Sequence, residues 1–285
     1  MNKMNKTKIQ LTLKQLNLIP KKSLGQNFLI DKNVAKKIIT ESELTNDDIV
    51  LEIGPGLGAL TRLLVNVVNK VYAIEIEPQF CHYLSETFSE YRNLEIINND
   101  ILKTDLPIHN KVVSNIPYSI SGPIMEKIFF RENAPLGILT IEKALADRIF
   151  SKENYKKISR ISITVNSFME PVSKFNISRN CFYPTPKIDM TVVKLKPRKN
   201  LNPFLLENES KKFFLKFIAG VMPYKNKSIA NALELFFKYK NGYSFKKEEI
   251  LRILRSNNYE NIKVFKLKIE EFINLSKLFY SIKTK

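Results

Sequence analysis

Three glycines at alternate positions, Gly54, Gly56 and Gly58, follow an apolar run at residues 49–51 and precede a helix start, in the stretch L-E-I-G-P-G-L-G-A-L-T at residues 51–61. A backbone without Cβ atoms can turn sharply there and approach a ligand closely. Taken alone, such a turn is also compatible with a plain strand-to-helix connection, so its surroundings carry the weight. A second apolar strand, residues 71–74, ends in Glu75, 17 positions after Gly58 (75 minus 58), where a carboxylate can accept both hydroxyls of a ribose. A third, residues 94–97, ends near Asp100. Strand, glycines, strand and acid, strand and acid is the order of a Rossmann-like, nucleotide-binding α/β sheet met at the C-terminal ends of its strands.

The rest of the first two hundred residues extends this alternation. The pattern predicts strands at 49–53, 71–76, 94–97, 111–114 and 136–141, with helices over about 57–67 and 78–89 and another starting within 124–130. Asp31 or its neighbourhood is expected to cap a helix through Val34, Ile38 and Ile39. Regular alternation implies right-handed crossovers and a mostly parallel sheet covered on both faces. Two extended stretches at about 168–175 and 188–195 flank R-N-C-F-Y-P-T-P-K and predict an antiparallel hairpin at the sheet edge. Residues 196–203 are basic with two prolines and suit a linker, after which apolar residues recur at helical spacing, as in Phe213, Phe214, Phe217 and Ile218. Three parts are expected: a basic extension at 1–20, a catalytic domain at 21–197 and a small α-helical domain at 198–285.

The chemistry is expected in S-N-I-P-Y-S-I-S, residues 114–121, directly after the fourth strand. Asn115 offers a side-chain carbonyl, and Ile116 a backbone carbonyl whose direction the ring of Pro117 fixes. Two acceptors suit the two hydrogens of an exocyclic amine on a flat ring. Tyr118 supplies a face for stacking a base, a contact worth about 1 to 3 kcal/mol.

Charge points to the partner: 46 Lys and Arg against 28 Asp and Glu leave a formal +18, a field suited to a polyanion such as RNA. Lys211, Lys212, Lys225, Lys227, Lys246, Lys247, Lys263 and Lys266 place much of it in the helical part, where phosphate contacts would guide a substrate without reading its sequence. Cys81 and Cys181 stand far apart without CxxC or a His-rich partner, so neither disulfides nor a metal site is expected. His82 and His109, the two histidines, lie beside no candidate nucleophile, which disfavours a His-based hydrolase. The N-terminus has no apolar run of signal-peptide or membrane-span length, so a cytoplasmic protein with no membrane partner, acting as a monomer, is expected.

Four ordered motifs, Q-N-F-L at residues 26–29, E-I-G-P-G-L-G at 52–58, N-I-P-Y at 115–118 and F-Y-P-T-P-K at 182–187, together resemble the KsgA and Erm family of S-adenosylmethionine-dependent ribosomal RNA adenine N6-dimethyltransferases. The resemblance runs from about residue 21 to the C-terminus and implies a class I methyltransferase sheet. It implies cofactor contacts from Gln26, Asn27, Leu29, Gly54 and Gly56, and from Glu75, Ile76, Asp100, Ile101 and Asn115. It further implies catalysis by the Asn115, Ile116 and Pro117 loop, with the target adenine stacked by Tyr118 and Phe182. K-N-K-S-I-A-N-A-L at 225–233 is similar to the archaeal and eukaryotic branch of the KsgA group, which favours small-subunit RNA, within an immature small ribosomal subunit, over the large-subunit target of Erm enzymes. The chain departs from the family pattern at Glu142 and Ala144 and at Ser159, positions that bear on RNA contacts rather than on the cofactor. Rival readings are a DNA adenine or protein glutamine methyltransferase, which also grip a planar amine; a non-catalytic RNA-binding assembly or transcription factor; and a dehydrogenase, which leaves the N-I-P-Y loop unexplained.

Overall fold

Alternating local signals do build a layered sheet. The computed structural model describes residues 6–21, 25–117, 120–151, 158–239, 245–259 and 262–283. In chain order the elements are α1 (Lys6–Gln15), β1 (Phe28–Leu29), α2 (Lys32–Glu41), β2 (Ile49–Ile53), α3 (Thr61–Leu64), β3 (Lys70–Glu75), α4 (Pro78–Thr87), β4 (Leu94–Asn98), β5 (Lys111–Asn115), α5 (Ser121–Phe129) and β6 (Leu136–Glu142). They continue with α6 (Lys143–Ile149), α7 (Arg160–Phe168), β7 (Met169–Ile177), β8 (Phe182–Tyr183), β9 (Met190–Pro197), α8 (Asn208–Val221), α9 (Ile229–Tyr239), α10 (Lys247–Ser256) and α11 (Ile269–Lys283).

Seven strands form one sheet in the order β4-β3-β2-β5-β6-β9-β7. The pairings β2 with β3, β3 with β4, β2 with β5 and β5 with β6 are parallel, whereas β9 runs antiparallel to β6. Strand order therefore reverses at β2, which lies between β3 and β5, and this is where open parallel sheets leave a crevice at their carboxyl ends. Central strands are apolar on both faces because helices cover both: Val50, Leu51, Val71, Val112 and Val113 are fully buried. As expected, Asp31 caps α2, its Oδ1 accepting from the backbone N–H groups of Asn33 and Val34 at 2.8 and 3.0 Å.

Several elements differ from the sequence reading. The helix expected over 57–67 shrinks to one turn, α3, because Gly56 and Gly58 hold φ of +56° and +77°, outside any right-handed helix. The loop R-N-C-F-Y-P-T-P-K contains β8, which pairs antiparallel with β1 and sets Leu29 opposite Phe182 and Phe28 opposite Tyr183. Within the expected extension, residues 6–15 form helix α1. Helix α1 buries Ile9 and Leu13 in a cluster with Phe28, Leu57 and Phe80.

The chain divides into two compact units, Met1–Ala146 with Glu170–Pro197, and Asp147–Met169 with Arg198–Lys285. Residues 147–169, expected in the catalytic domain, thus group with the helical unit. The reason is visible in its bonds: Asn166 Nδ2 donates to the carbonyl of Ile149 at 2.8 Å, and Arg198 Nε donates to the carbonyl of Asn166 at 2.6 Å. The helical unit is held by an aromatic core, in which Phe217 meets Phe236 at 5.7 Å and Phe237 meets Phe279 at 5.4 Å.

Candidate active site

A cavity of about 300 Å³ opens at the carboxyl ends of β2, β3, β4 and β5. Gln26, Asn27, Leu29, Gly54, Gly56, Glu75, Ile76, Asp100, Ile101 and Asn115 all line it, so ten residues from five stretches of sequence meet in one place.

The glycine turn has two jobs. Built onto Gly58, a Cβ would stand 2.7 Å from the Phe88 ring, so this glycine serves packing and not the cavity. At Gly56 the neighbour is Phe28 at 3.0 Å, and its backbone N–H donates to Glu75 Oε2 at 3.1 Å. Glu75 Oε1 also accepts from the N–H of Glu77 at 3.0 Å. The carboxylate expected to hold a ribose therefore first ties the glycine turn to the end of β3. Burial raises its pKa, and the amide donors of Glu77, Gly56 and Ile76 work against that rise.

Asp100 is half-buried, and its Oδ1 accepts from the N–H of Leu102 at 2.9 Å. Gln26 Oε1 accepts from the N–H of Lys21 at 2.8 Å, and the Lys21 ammonium meets Glu77 Oε2 at 2.6 Å. Asn115 Nδ2 donates to the carbonyl of Asn27 at 2.9 Å, joining the Q-N-F-L and N-I-P-Y segments across 88 positions. With its amide nitrogen engaged there, Asn115 presents Oδ1 as the acceptor for a substrate donor.

Pro117 lines the cavity as well, whereas Ile116 is 2% exposed as a whole residue, is not among the residues that line the cavity, and donates its backbone N–H to the Thr140 carbonyl at 3.1 Å. Tyr118 lies outside the described residues. Phe182, expected to stack the target adenine, is 2% exposed, belongs to an apolar cluster with Leu29, Ile177 and Met190, and pairs with Leu29 in the β1–β8 ladder.

Sequence reasoning missed Glu52. It lies inside β2, is 2% exposed, lines the cavity and accepts from Thr61 Oγ1 at 2.7 Å. Burial pushes its carboxyl up to about 8, against the pull of the Thr61 hydroxyl and amide, with the charge of Glu75 adding to the rise. The signal was present: an acid in the middle of an otherwise apolar strand demands a polar reason. Apolar walls from Phe28, Ile53, Leu57 and Phe80 were missed too, since such residues look like ordinary core.

Apolar walls, two acids at strand ends and an open glycine backbone fit a nucleoside whose flat base lies against hydrocarbon and whose hydroxyls need acceptors. A model of ribosomal RNA adenine dimethylases matches residues 18–279. The chain belongs to that family. It is thus an S-adenosylmethionine-dependent methyltransferase, and the cofactor fits the cavity just described. Ribosomal RNA small subunit methyltransferase A of Natranaerobius thermophilus is 32% identical over 307 residues, covering 99% of this chain and 98% of that one. Among solved structures, a dimethyladenosine transferase from Plasmodium falciparum superposes with a TM-score of 0.73 at 26% identity, covering 89% of this chain and 97% of that one. The 23S rRNA methyltransferase ErmE does so at 0.62 and 25% identity, covering 89% of this chain and all of that one. No described helix of this family member is long and apolar enough to cross a membrane.

Proposed function

We propose that this dimethyltransferase acts in the cytoplasm, as a monomer, on two adjacent adenosines in the 3′-terminal hairpin loop of small-subunit ribosomal RNA, within an immature small subunit. The small-subunit target is supported by the near full-length match to a small-subunit methyltransferase, against a lower identity to the large-subunit enzyme. Placement in the archaeal and eukaryotic branch rests on residues 225–233 alone.

The observation that carries the chemistry is the convergence of the glycine turn, Glu75, Asp100 and Asn115 on one cavity. Bound there, S-adenosylmethionine supplies an electrophilic methyl group. Gly54, Gly56 and Glu75 would hold its ribose side, and Asp100 with Ile76 and Ile101 its adenine. The residues' harder task concerns the nucleophile, since the lone pair of an adenine N6 is delocalised into the ring. Asn115 Oδ1 and the Ile116 carbonyl, accepting the two amine hydrogens, favour a pyramidal nitrogen with its lone pair freed for attack. Tyr118 supplies the stacking face. Methylation makes the nitrogen proton acidic, so it leaves to solvent or a carbonyl without a dedicated base, and a second cycle gives the dimethyl product.

Not every lysine of the helical unit is left for phosphate. Lys212 pairs with Glu209 at 2.8 Å, Lys247 with Glu234 at 3.0 Å, and Lys225 donates to the Ile158 carbonyl at 3.1 Å. Full-length protein with labelled cofactor tests the whole proposal when offered immature small subunits, large subunits and naked RNA, with mass mapping of the product. Label confined to large-subunit RNA would overturn the assigned target.

A further inference from the structure

Two walls of the cavity come from loops that, among the described residues, no backbone hydrogen bond joins. One follows β4 and carries Asn99, Asp100, Ile101 and Leu102; the other follows β5 and carries Asn115, Pro117 and, at the start of α5, Ile120. A side chain near the far end of α5 links them. Lys127 Nζ donates to the carbonyl of Leu102 at 3.0 Å and to that of Thr104 at 2.7 Å.

The loop after β4 is prepared for such a partner. Its amides turn inward, since the N–H groups of Lys103 and Thr104 both donate to the Asp100 carbonyl, as does Thr104 Oγ1 at 2.8 Å. The carbonyls of Leu102 and Thr104 accept the ammonium, which bonds more strongly than a neutral donor would. On the other side, α5 is a stiff rod of nine residues whose first residue, Ser121, donates through Oγ to the Pro117 carbonyl at 3.3 Å. A charged last-turn lysine would ordinarily face its own helix's carbonyl end. Here it reaches across to a neighbouring loop.

We infer that Lys127 is a positioning residue for methyl transfer, clamping the loop that holds the cofactor's adenine to the helix that carries the amine-gripping loop, so that donor and acceptor sit in one frame. The inference rests on the cofactor placement proposed above. Losing the clamp frees the Asp100 to Leu102 wall to move relative to Pro117 and Ile120, which weakens cofactor binding and spoils alignment while leaving the RNA-binding surface alone.

The test uses the full chain with Lys127→Met, which keeps the apolar stem and removes the donors, and Lys127→Arg, which restores them. Calorimetry with S-adenosylmethionine should show Kd raised about tenfold in Lys127→Met, as expected for one charge-assisted contact. KM for the cofactor should rise with it and kcat should fall, with KM for immature small subunits unchanged, and Lys127→Arg should return both to within a few-fold of wild type. Lys127→Leu provides a second variant without donors, with the same expectation, should the methionine variant fold poorly. Wild-type binding with unchanged affinity in the neutral variants overturns the clamp alone. Absence of binding by the wild-type chain overturns the cofactor placement and the clamp together.

Discussion

The two sides of the cavity are built to different degrees of completeness. On the cofactor side, Glu75 is already bonded to the amides of Gly56 and Glu77, Glu52 to the hydroxyl of Thr61, and Phe28 and Phe80 meet edge to face at 5.5 Å. On the amine side, the described polar fixture is Asn115, held through one bond to Asn27. Protein groups thus satisfy one another where the bound partner is constant, and keep an acceptor in hand where an incoming base must be gripped and released. The difference teaches that affinity for cofactor and rate of transfer should be separable by mutation.

Asn115→Ala should have the largest effect and the sharpest separation. Loss of one oriented contact to the reacting group costs about 2.7 to 4 kcal/mol in the transition state, a fall of about a hundred- to a thousandfold in methyl transfer. Cofactor affinity by calorimetry should move only a few-fold; an equal loss in both would erase the distinction between the two sides. Next comes Glu75→Ala, which strips acceptors from a buried pair of amides as well as from the ribose. Cofactor Kd should rise about ten- to a hundredfold, with kcat at saturating cofactor within a few-fold of wild type. A variant binding as tightly as wild type would remove Glu75 from the ribose.

Glu52→Gln should give the smallest change, visible as pH dependence. A carboxyl raised to about 8 in the fold, from 4.5, holds a proton that the unfolded chain has released. Stability of the cofactor-free protein should therefore decline as pH rises from about 4.5 to 8. The glutamine variant keeps a carbonyl for Thr61 and cannot ionise, so thermal unfolding followed across that range should show a flatter profile. An unchanged slope would place the titration elsewhere.

What was legible in the sequence was what is local. Glu75 and Asp100 could be placed because one ends its strand and the other follows its strand by two residues, and Asn115 because the N-I-P-Y order states its chemistry in four letters. Gly58 looked like Gly54 and Gly56, yet its missing Cβ makes room for Phe88, thirty positions on, a fact no spacing reveals. The burial of Phe182 was hidden for the same reason: it pairs with Leu29, and a pairing across 153 positions leaves no periodic trace. The packing of helix α1 went unread because four of its ten residues are buried or partly buried while the rest face water, a narrow stripe among lysines.

The β1–β8 pair also has a meaning in time. Residues 26–29, one edge of the cofactor cavity, leave the ribosome early, but the strand that secures them starts at Phe182. At elongation rates of about 5 to 20 residues per second, roughly 8 to 30 s pass between the two. Throughout that interval a nascent chain can hold its parallel strands and its glycine turn while one edge of the pocket still lacks its partner. The enzyme's own translation thus delays a finished cofactor site until most of the sheet has emerged.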